Sequence, residues 1–194
     1  MELPDLLALL RDAIRNVDSS GVAYTSSKPP YRAYQPGVGP YSETVLCKRI
    51  AEWLGINSTA CKGICTRRIP DLLIPDLWAI ELKIARPFGD NGKEAEHWSQ
   101  NLLHPYPGNT SSLSDALKLM EYDGPERRAV VVVGYEHATP RISLDPLIRS
   151  FEVIAQHVLN LELGEQHELV VAPLVHPVHQ VARLWGWEVG RLGC

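Results

Sequence analysis

The sequence has little of what marks membrane proteins or proteins with a uniformly basic surface. Its 194 residues contain no apolar run that approaches the roughly 20 residues needed to cross a bilayer. The formal net charge is −4, so the chain as a whole does not attract a polyanion. We therefore expect no membrane partner, and any basic groups that contact nucleic acid must be confined to one groove.

Cysteine is scarce and a secretory leader is not evident. The first residues carry acids, Glu2 and Asp5, where a leader would need a basic and then an apolar segment. We therefore expect a cytoplasmic protein with reduced thiols. The cysteines are Cys47, Cys61, Cys65 and Cys194.

A zinc site is conceivable on the spacing of four side chains. Cys61 and Cys65, together with His176 and His179, could supply the ligands. This spacing is not one of the common zinc patterns, and buried or incidental residues are the other interpretation.

Several enzyme motifs are also missing. The sequence contains no glycine-rich phosphate-binding loop, no G-x-S-x-G turn and no H-E-x-x-H pair. These absences disfavour P-loop nucleotide hydrolases, α/β-hydrolases and zinc proteases of the common type.

What the chain does have is a group of charges inside apolar sequence. Residues 69–74 and 78–84 read as two short strands, with Asp71 on the first and Glu81 and Lys83 on the second. Charged groups among apolar residues must be paired or bound to a metal, because desolvating them alone costs too much. The pattern therefore favours a divalent cation at Asp71 and Glu81, with Lys83 beside it.

The register of a hairpin supports this interpretation. A three-residue loop at 75–77 sets Ile74 opposite Trp78 and Asp71 opposite Glu81. Opposed residues have Cβ atoms roughly 5 Å apart, so both carboxylates can reach one hard cation. Side chains alternate between the faces of a strand, so Lys83 shares the face of Glu81.

A further carboxylate lies upstream, at the start of a predicted helix. Ser42 is a good N-cap and Gly55 a good end, and Glu43 falls on the buried stripe of the helix. Glu43 could project into the metal site, or it could simply favour the helix N-terminus through the macrodipole. The stripe also contains Leu46, Cys47, Ile50, Ala51 and Leu54.

These residues resemble a known family. Pro70-Asp71, nine intervening residues and Glu81-Leu82-Lys83 are similar to the motif of the PD-(D/E)xK nuclease superfamily, which includes type II restriction endonucleases and several repair nucleases. The resemblance implies an α/β fold with a restriction-endonuclease-like core, a mixed central β-sheet flanked by helices. It also implies a metal-dependent endonuclease that leaves a 5′-phosphate and a 3′-hydroxyl.

The resemblance assigns a role to each residue of the motif. Asp71, Glu81 and the backbone carbonyl of Leu82 would hold Mg²⁺, for which Mn²⁺ can substitute. Lys83 would orient or deprotonate the attacking water. Glu43 would serve the same metal or a second one.

DNA contacts are expected from two polar segments. Residues 85–112 form a long connection, which in a compact domain is usually functional, although a polar surface excursion is the alternative. The aromatic and basic residues of the loop at 23–40 could grip nucleic acid, or serve turns and packing. The candidates for DNA binding are Arg86, Lys93, Asn101 and His104 in the first segment, Tyr31 and Arg32 in the second, and Arg68 outside both.

The chain is predicted to fold as one nuclease domain spanning residues 1–194. The apolar periodicity places a helix at 3–17 and a helix and strands at 145–190, and the resemblance implies a catalytic core at about 42–133. Within these, strands are predicted at 61–67, 129–133, 168–174 and 184–189, and helices at 113–121 and 146–163.

Three functions remain open at this point. The first is a restriction-type endonuclease acting on double-stranded DNA as a homodimer, since two symmetric sites cut two strands most simply. The second is a repair, recombination or structure-specific nuclease on the same scaffold. The third is a module that binds nucleic acid or protein without cleaving anything.

Overall fold

Long apolar segments of the sequence form the central strands of a mixed β-sheet with helices on both faces. The computed structural model describes residues 1–21, 23–25, 31–104 and 111–191. The strands are β1 Ala23–Thr25, β2 Ala33–Pro36, β3 Cys65–Thr66, β4 Leu72–Ile74, β5 Trp78–Ala85, β6 Arg127–Glu136, β7 Leu161–Leu163, β8 His167–Val171 and β9 Val181–Arg191. The helices are α1 Leu3–Ser19, α2 Glu43–Asn57, α3 Gln100–Leu103, α4 Ser112–Leu119 and α5 Asp145–His157.

The sheet runs in the order β3-β4-β5-β6-β9-β7, and β8 pairs with β9 as well. Only the central β5–β6 pair of this sheet is parallel among the described strands, and the remaining pairs are antiparallel. Strands β1 and β2 form a separate two-stranded ribbon. The α/β class and the mixed central sheet flanked by helices are therefore confirmed.

Strand β5 is buried on both faces, which decides where its charges go. Trp78, Ile80, Leu82 and Ile84 pack in the same core as α1 and α2. Ala79 and Ala85 pack with α4 and α5 on the opposite face. Because side chains alternate along a strand, Glu81 and Lys83 enter the face covered by α4 and α5.

The β4–β5 hairpin has the predicted register. Ile74 pairs with Trp78 and Leu73 with Ala79, and the loop closes with a hydrogen bond from Leu77 N to Ile74 O of 3.0 Å. Asp76 in the loop has φ 63°, a left-handed conformation usually taken by glycine. The ladder stops at the pair of Leu72 with Ile80, one residue before Asp71 would face Glu81.

Helix α2 begins where predicted but ends later. Ser42 caps it, and its side chain accepts a hydrogen bond from Val45 N at 3.4 Å. The helix passes through Gly55 and ends at Asn57. The predicted end was wrong because glycine permits, but does not require, the left-handed conformation that stops a helix.

Two further segments differ from the predictions. The loop expected at 23–40 contains the strands β1 and β2. Residues 26–30 of this segment lie outside the described residues, as does residue 22 just before it. The strand expected at 61–67 is a 3₁₀ turn at Thr59–Cys61 followed by the short β3. Prolines and glycines mark turns clearly, but they do not reveal the short pairings between those turns.

The helix expected at 146–163 is a helix followed by a strand. α5 ends at His157, and Asn160 has φ 53°. The chain turns there and continues as β7, in which Leu161 is buried. Leu161 fitted the helical stripe by spacing alone, although it packs from a strand.

Helix α1 packs on one face of the sheet, against β8 and β9. Its leucines at positions 3, 6, 7 and 10 are buried, which fits the apolar periodicity that predicted a helix at 3–17. Among the described residues no helix is both long and apolar enough to cross a membrane.

Candidate functional site

The end of β4 leaves the edge of β5 without a strand partner beyond Ile80. Two carboxylates take the place of that partner. Asp71 Oδ2 accepts a hydrogen bond from Leu82 N at 3.0 Å, and Glu43 Oε1 accepts one from Ile84 N at 3.2 Å. The predicted acidic residues therefore converge on one short stretch of backbone, and each satisfies a buried donor there.

Lys83 is held between two carboxylates. Only 5% of the residue is exposed, and its Nζ lies 3.0 Å from Glu43 Oε2 and 2.7 Å from Asp115 Oδ2. Burial alone would lower the pKa of Lys83, but Glu43 and Asp115 outweigh it and raise the pKa above its usual value. The side chain is therefore a fixed ammonium group.

Glu81 is the carboxyl in the least favourable position for a charge. It is 3% exposed, and its Oε1 has no hydrogen-bond partner among the residues that the structure describes. Burial raises the pKa of Glu81, and the charges of Asp71 and Asp115 and a hydrogen bond with Asp71 raise it further. Glu81 therefore retains a proton in conditions where an exposed glutamate has lost it.

These contacts allow a test of whether the residues fit a metal. No cluster of three or more acidic, histidine or cysteine side chains in the described part of the chain already has the geometry of a metal site. The carboxyls of Asp71 and Glu81 are nevertheless within hydrogen-bonding reach, and Glu81 Oε1 is a buried acceptor that a cation would satisfy. The N–H and C=O of a strand residue share one edge, so the Leu82 carbonyl lies on the edge capped by Asp71. This all-oxygen set suits a hard cation such as Mg²⁺.

Glu43 is less buried than its place on the stripe suggested. Its side chain is 31% exposed, and its contacts are with Lys83 and with the backbone of β5. Glu43 links α2 to Lys83, whereas the carboxyl groups of Asp71 and Glu81 contact each other.

Asp115 is the residue that the sequence analysis missed. It lies in the first turn of α4, which Ser111 caps, and it also pairs with Lys118 Nζ at 2.7 Å. Asp115 precedes Leu119 by four residues, so it shares a helix face with a buried apolar side chain. The same spacing argument that singled out Glu43 would have found it.

A cleft of about 670 Å³ opens beside the charged cluster. Ile84 and Ser42, the neighbours of Lys83 and Glu43 in the chain, form part of its wall. The predicted DNA-binding residues in its lining are Arg32, Arg86 and Asn101. Arg86 Nη1 also donates to Gly39 O at 2.7 Å.

The other predicted DNA-binding residues lie outside the lining of this cleft. Arg68 and Lys93 are exposed, and Tyr31 is 71% exposed. His104 follows α3, and its carbonyl accepts a hydrogen bond from Ser111 Oγ.

The histidines of the possible zinc site contact each other and Asp90. The His176 and His179 rings stack with their centroids 4.4 Å apart, and His176 Nε2 lies 2.8 Å from Asp90 Oδ1. Cys61 and Cys65 are free thiols. In the described residues these four side chains do not form a cluster that could hold a metal.

Comparison with known proteins adds no relative to this picture. No protein-family model matches the chain, and neither a curated protein nor a solved structure does. What the site can do therefore follows from its own contacts.

Proposed function

We propose that the chain is a Mg²⁺-dependent nuclease that hydrolyses phosphodiester bonds in DNA, with a core of the PD-(D/E)xK, restriction-endonuclease-like type. The observation that most supports the proposal is the convergence of Asp71, Glu81 and Lys83 at the unpaired edge of β5. Two carboxyls in contact are costly unless they share a proton or a cation, and the adjacent ammonium suits a phosphate.

Asp71, Glu81 and the Leu82 carbonyl would hold the cation, and Mn²⁺ would substitute for Mg²⁺. When bound, the ion would supply charge neutralisation at the phosphodiester and a more acidic water. Glu81 must lose its proton for this, so ion binding and proton release are coupled. Asp71 would keep the hairpin aligned, because it already accepts from Leu82 N.

Lys83 would act as a positively charged group and not as a base. Its raised pKa keeps the ammonium form, and Glu43 and Asp115 fix its Nζ in position. From there its third N–H would donate either to a non-bridging phosphate oxygen or to the attacking water. Such fixed charges stabilise a developing negative charge without reorganising.

Arg32, Arg86 and Asn101 would guide the strand that is cut, since all three line the cleft next to the cluster. Action on double-stranded DNA by a homodimer is part of the proposal, because paired cuts need two sites. A structure-specific or single-strand nuclease is the second candidate. The aromatic and amide groups of the cleft favour it, since such groups contact unpaired bases.

The test is incubation of the purified protein with supercoiled plasmid, linear phage DNA and single-stranded DNA, with Mg²⁺, Mn²⁺ or EDTA. Lys83→Ala, purified in parallel, controls for contaminating nucleases. Lys118→Ala is the matched control, since Lys118 also pairs with Asp115 but is more exposed. We expect cleavage that needs the metal and Lys83. Discrete fragments would indicate sequence specificity, and preference for single strands would favour the second candidate.

The proposal fails if Asp71→Ala, Glu81→Ala and Lys83→Ala all cut DNA as well as the parent. It also fails if the parent cuts no form of DNA in either metal. The remaining interpretation would then be a module that binds nucleic acid or protein without cleavage.

A further inference from the structure

The cleft beside the charged cluster has a lining unlike that of a phosphate-binding groove. Its cationic side chains are Arg32 and Arg86, and its anionic side chains are Asp90 and Glu96. The formal charges of these four cancel. Sites that follow a nucleic-acid backbone concentrate lysine and arginine, because each phosphate carries a full negative charge. A neutral lining instead suits an uncharged group with polar edges.

The cleft lining also contains aromatic rings. Tyr34, Phe88 and Trp98 line it, and the side-chain amides of Asn91 and Asn101 stand among them. A nucleobase stacks on an aromatic face whatever its identity. Amide and carboxylate groups match the donors and acceptors on base edges, as in the pairing of asparagine with adenine and of acids with cytosine. The lining thus combines a stacking surface with edge-reading groups.

The walls of the cleft are held by long-range hydrogen bonds. Asp90 Oδ1 accepts from Gln35 N at 3.1 Å, which ties the ribbon strand β2 to the segment after β5. His176 Nδ1 accepts from the backbone N–H groups of Val178 and His179, so its Nε2 carries the proton that bonds Asp90. A volume of about 670 Å³ falls in the range of roughly 300–1,000 Å³ common for preformed ligand sites.

His179, two residues before β9, completes the same wall. Its Nε2 lies 2.8 Å from the Phe88 carbonyl, which can only accept, so Nε2 carries the proton. This bond anchors the backbone of Phe88, whose ring belongs to the lining. The position of Phe88 within the stacking surface is therefore set by the protein and does not depend on a ligand.

We propose that this cleft binds one unpaired nucleobase and so places the adjoining phosphodiester at the Asp71–Glu81–Lys83 cluster. The inference rests on the proposed function for the class of ligand, nucleic acid. It adds that the substrate must present a base outside a duplex, from a single strand, a flap or a base turned out of a helix. Ser42 and Ile84 of the cleft wall are chain neighbours of Glu43 and Lys83, and Glu43 accepts hydrogen bonds from both Ile84 N and Lys83 Nζ, so a base in the cleft would lie next to the cluster.

The experiment measures binding separately from cleavage. Fluorescence anisotropy of labelled duplexes would be recorded with full-length Lys83→Ala in Mg²⁺ and with the parent in EDTA. One duplex carries a single unpaired base, a second carries an abasic residue at the same position, and a third is fully paired. We expect about tenfold tighter binding of the first than of the second, the magnitude of one lost base stack.

Variants locate that preference in the cleft. Trp98→Ala should remove the difference between the base-bearing and abasic duplexes, and Trp98→Phe should keep most of it. Trp53→Phe, which changes a partly buried tryptophan of α2 outside the cleft lining, should leave the difference intact. If Trp98→Ala does not fold by circular dichroism, Asn101→Ala replaces it, because Asn101 is exposed. Asn101→Ala should reduce discrimination among the four unpaired bases.

Equal affinity for the base-bearing and abasic duplexes would overturn the inference, as would equal weakening of both by Trp98→Ala. Cleavage without base preference would leave the nuclease proposal standing and remove the cleft assignment. Base preference without cleavage in any metal would do the reverse. Failure to bind any of the duplexes would overturn both.

Discussion

The Nζ atom of Lys83 lies 2.7 Å from Oδ2 of Asp115, so the middle of β5 is joined directly to the first turn of α4. Asp115 is 5% exposed, and little water competes for this ion pair. The position of the lysine therefore depends on the packing of a helix that carries none of the motif residues. A buried pair of this kind holds geometry even where its net contribution to stability is small.

Asp115→Asn should lower turnover by about 10- to 100-fold with little change in KM, because it loosens a positioned group. It also removes one of the negative charges that raise the pKa of Lys83. The high-pH limb of the pH–rate profile should therefore move to lower pH. Lys118→Ala should behave like the parent, since it leaves the pair of Asp115 with Lys83 in place. Overlapping profiles for Asp115→Asn and the parent would rule out the positioning role.

Mg²⁺ should stabilise the parent in thermal unfolding. At an ion concentration about tenfold above Kd the gain is about 1.4 kcal/mol. For a chain of this length that corresponds to roughly 3–6 °C in Tm. Asp71→Asn and Glu81→Gln should abolish the shift, and Glu81→Gln should retain the stability of the metal-free parent, because an amide can replace a protonated carboxyl.

The matched control for this measurement is Asp76→Asn. Asp76 is an exposed acid in the loop of the same hairpin, and asparagine also tolerates its positive φ. It should keep the full Mg²⁺ shift. A shift that survives both Asp71→Asn and Glu81→Gln would place the ion elsewhere.

Glu43→Ala should cost about 1 kcal/mol of unfolding free energy in urea titration, and Glu43→Gln clearly less. The glutamine retains an oxygen that can accept from Ile84 N, whereas alanine leaves that backbone donor without its partner. Ser42→Ala should cost a similar amount through loss of the helix cap. Equal stability of the alanine and glutamine variants would mean that the bond to Ile84 contributes nothing.

Stability should fall as the pH drops from about 6.5 to about 4, in part because of His179. Burial lowers the pKa of His179 to about 4. Between about pH 6.5 and about pH 4 the unfolded chain therefore binds a proton at this residue that the folded protein does not. The slope from this one group is at most about 1.4 kcal/mol per pH unit, and it vanishes above pH 6.5 or so. Chemical denaturation at a series of pH values measures it.

His179→Gln should flatten that slope, since its amide can still donate to the Phe88 carbonyl without titrating. His157→Gln, at an exposed position in α5, should leave the slope as it is. A slope that is unchanged in His179→Gln would show that other groups govern acid destabilisation.

The hairpin could be predicted because its information is local. Apolar alternation around Glu81 and Lys83, together with a short loop containing Pro75, favours the register that buries the apolar side chains, which is the one observed. The start of α2 could be predicted equally well, since Ser42 precedes a run of apolar residues at helical spacing. Both features depend on residues that are close in sequence.

The remainder depends on how distant elements pack. The pairing of Asp115 with Lys83 requires α4 to lie across β5, and no spacing within α4 encodes that arrangement. The division of residues 146–163 into α5 and β7 requires β9 as a partner for Leu161. Tertiary pairing overrode a helical period that was present by coincidence.

The early end of β4 has a consequence for amide hydrogen exchange. In a continuous ladder, exchange at β5 would report opening of the sheet, but the amides of Leu82 and Ile84 are protected by the side chains of Asp71 and Glu43. Any rotation of either carboxylate toward a cation or a substrate exposes one amide while its neighbours in the sheet stay protected. The exchange rates of these two amides therefore report separately whether Asp71 and Glu43 remain hydrogen-bonded to β5.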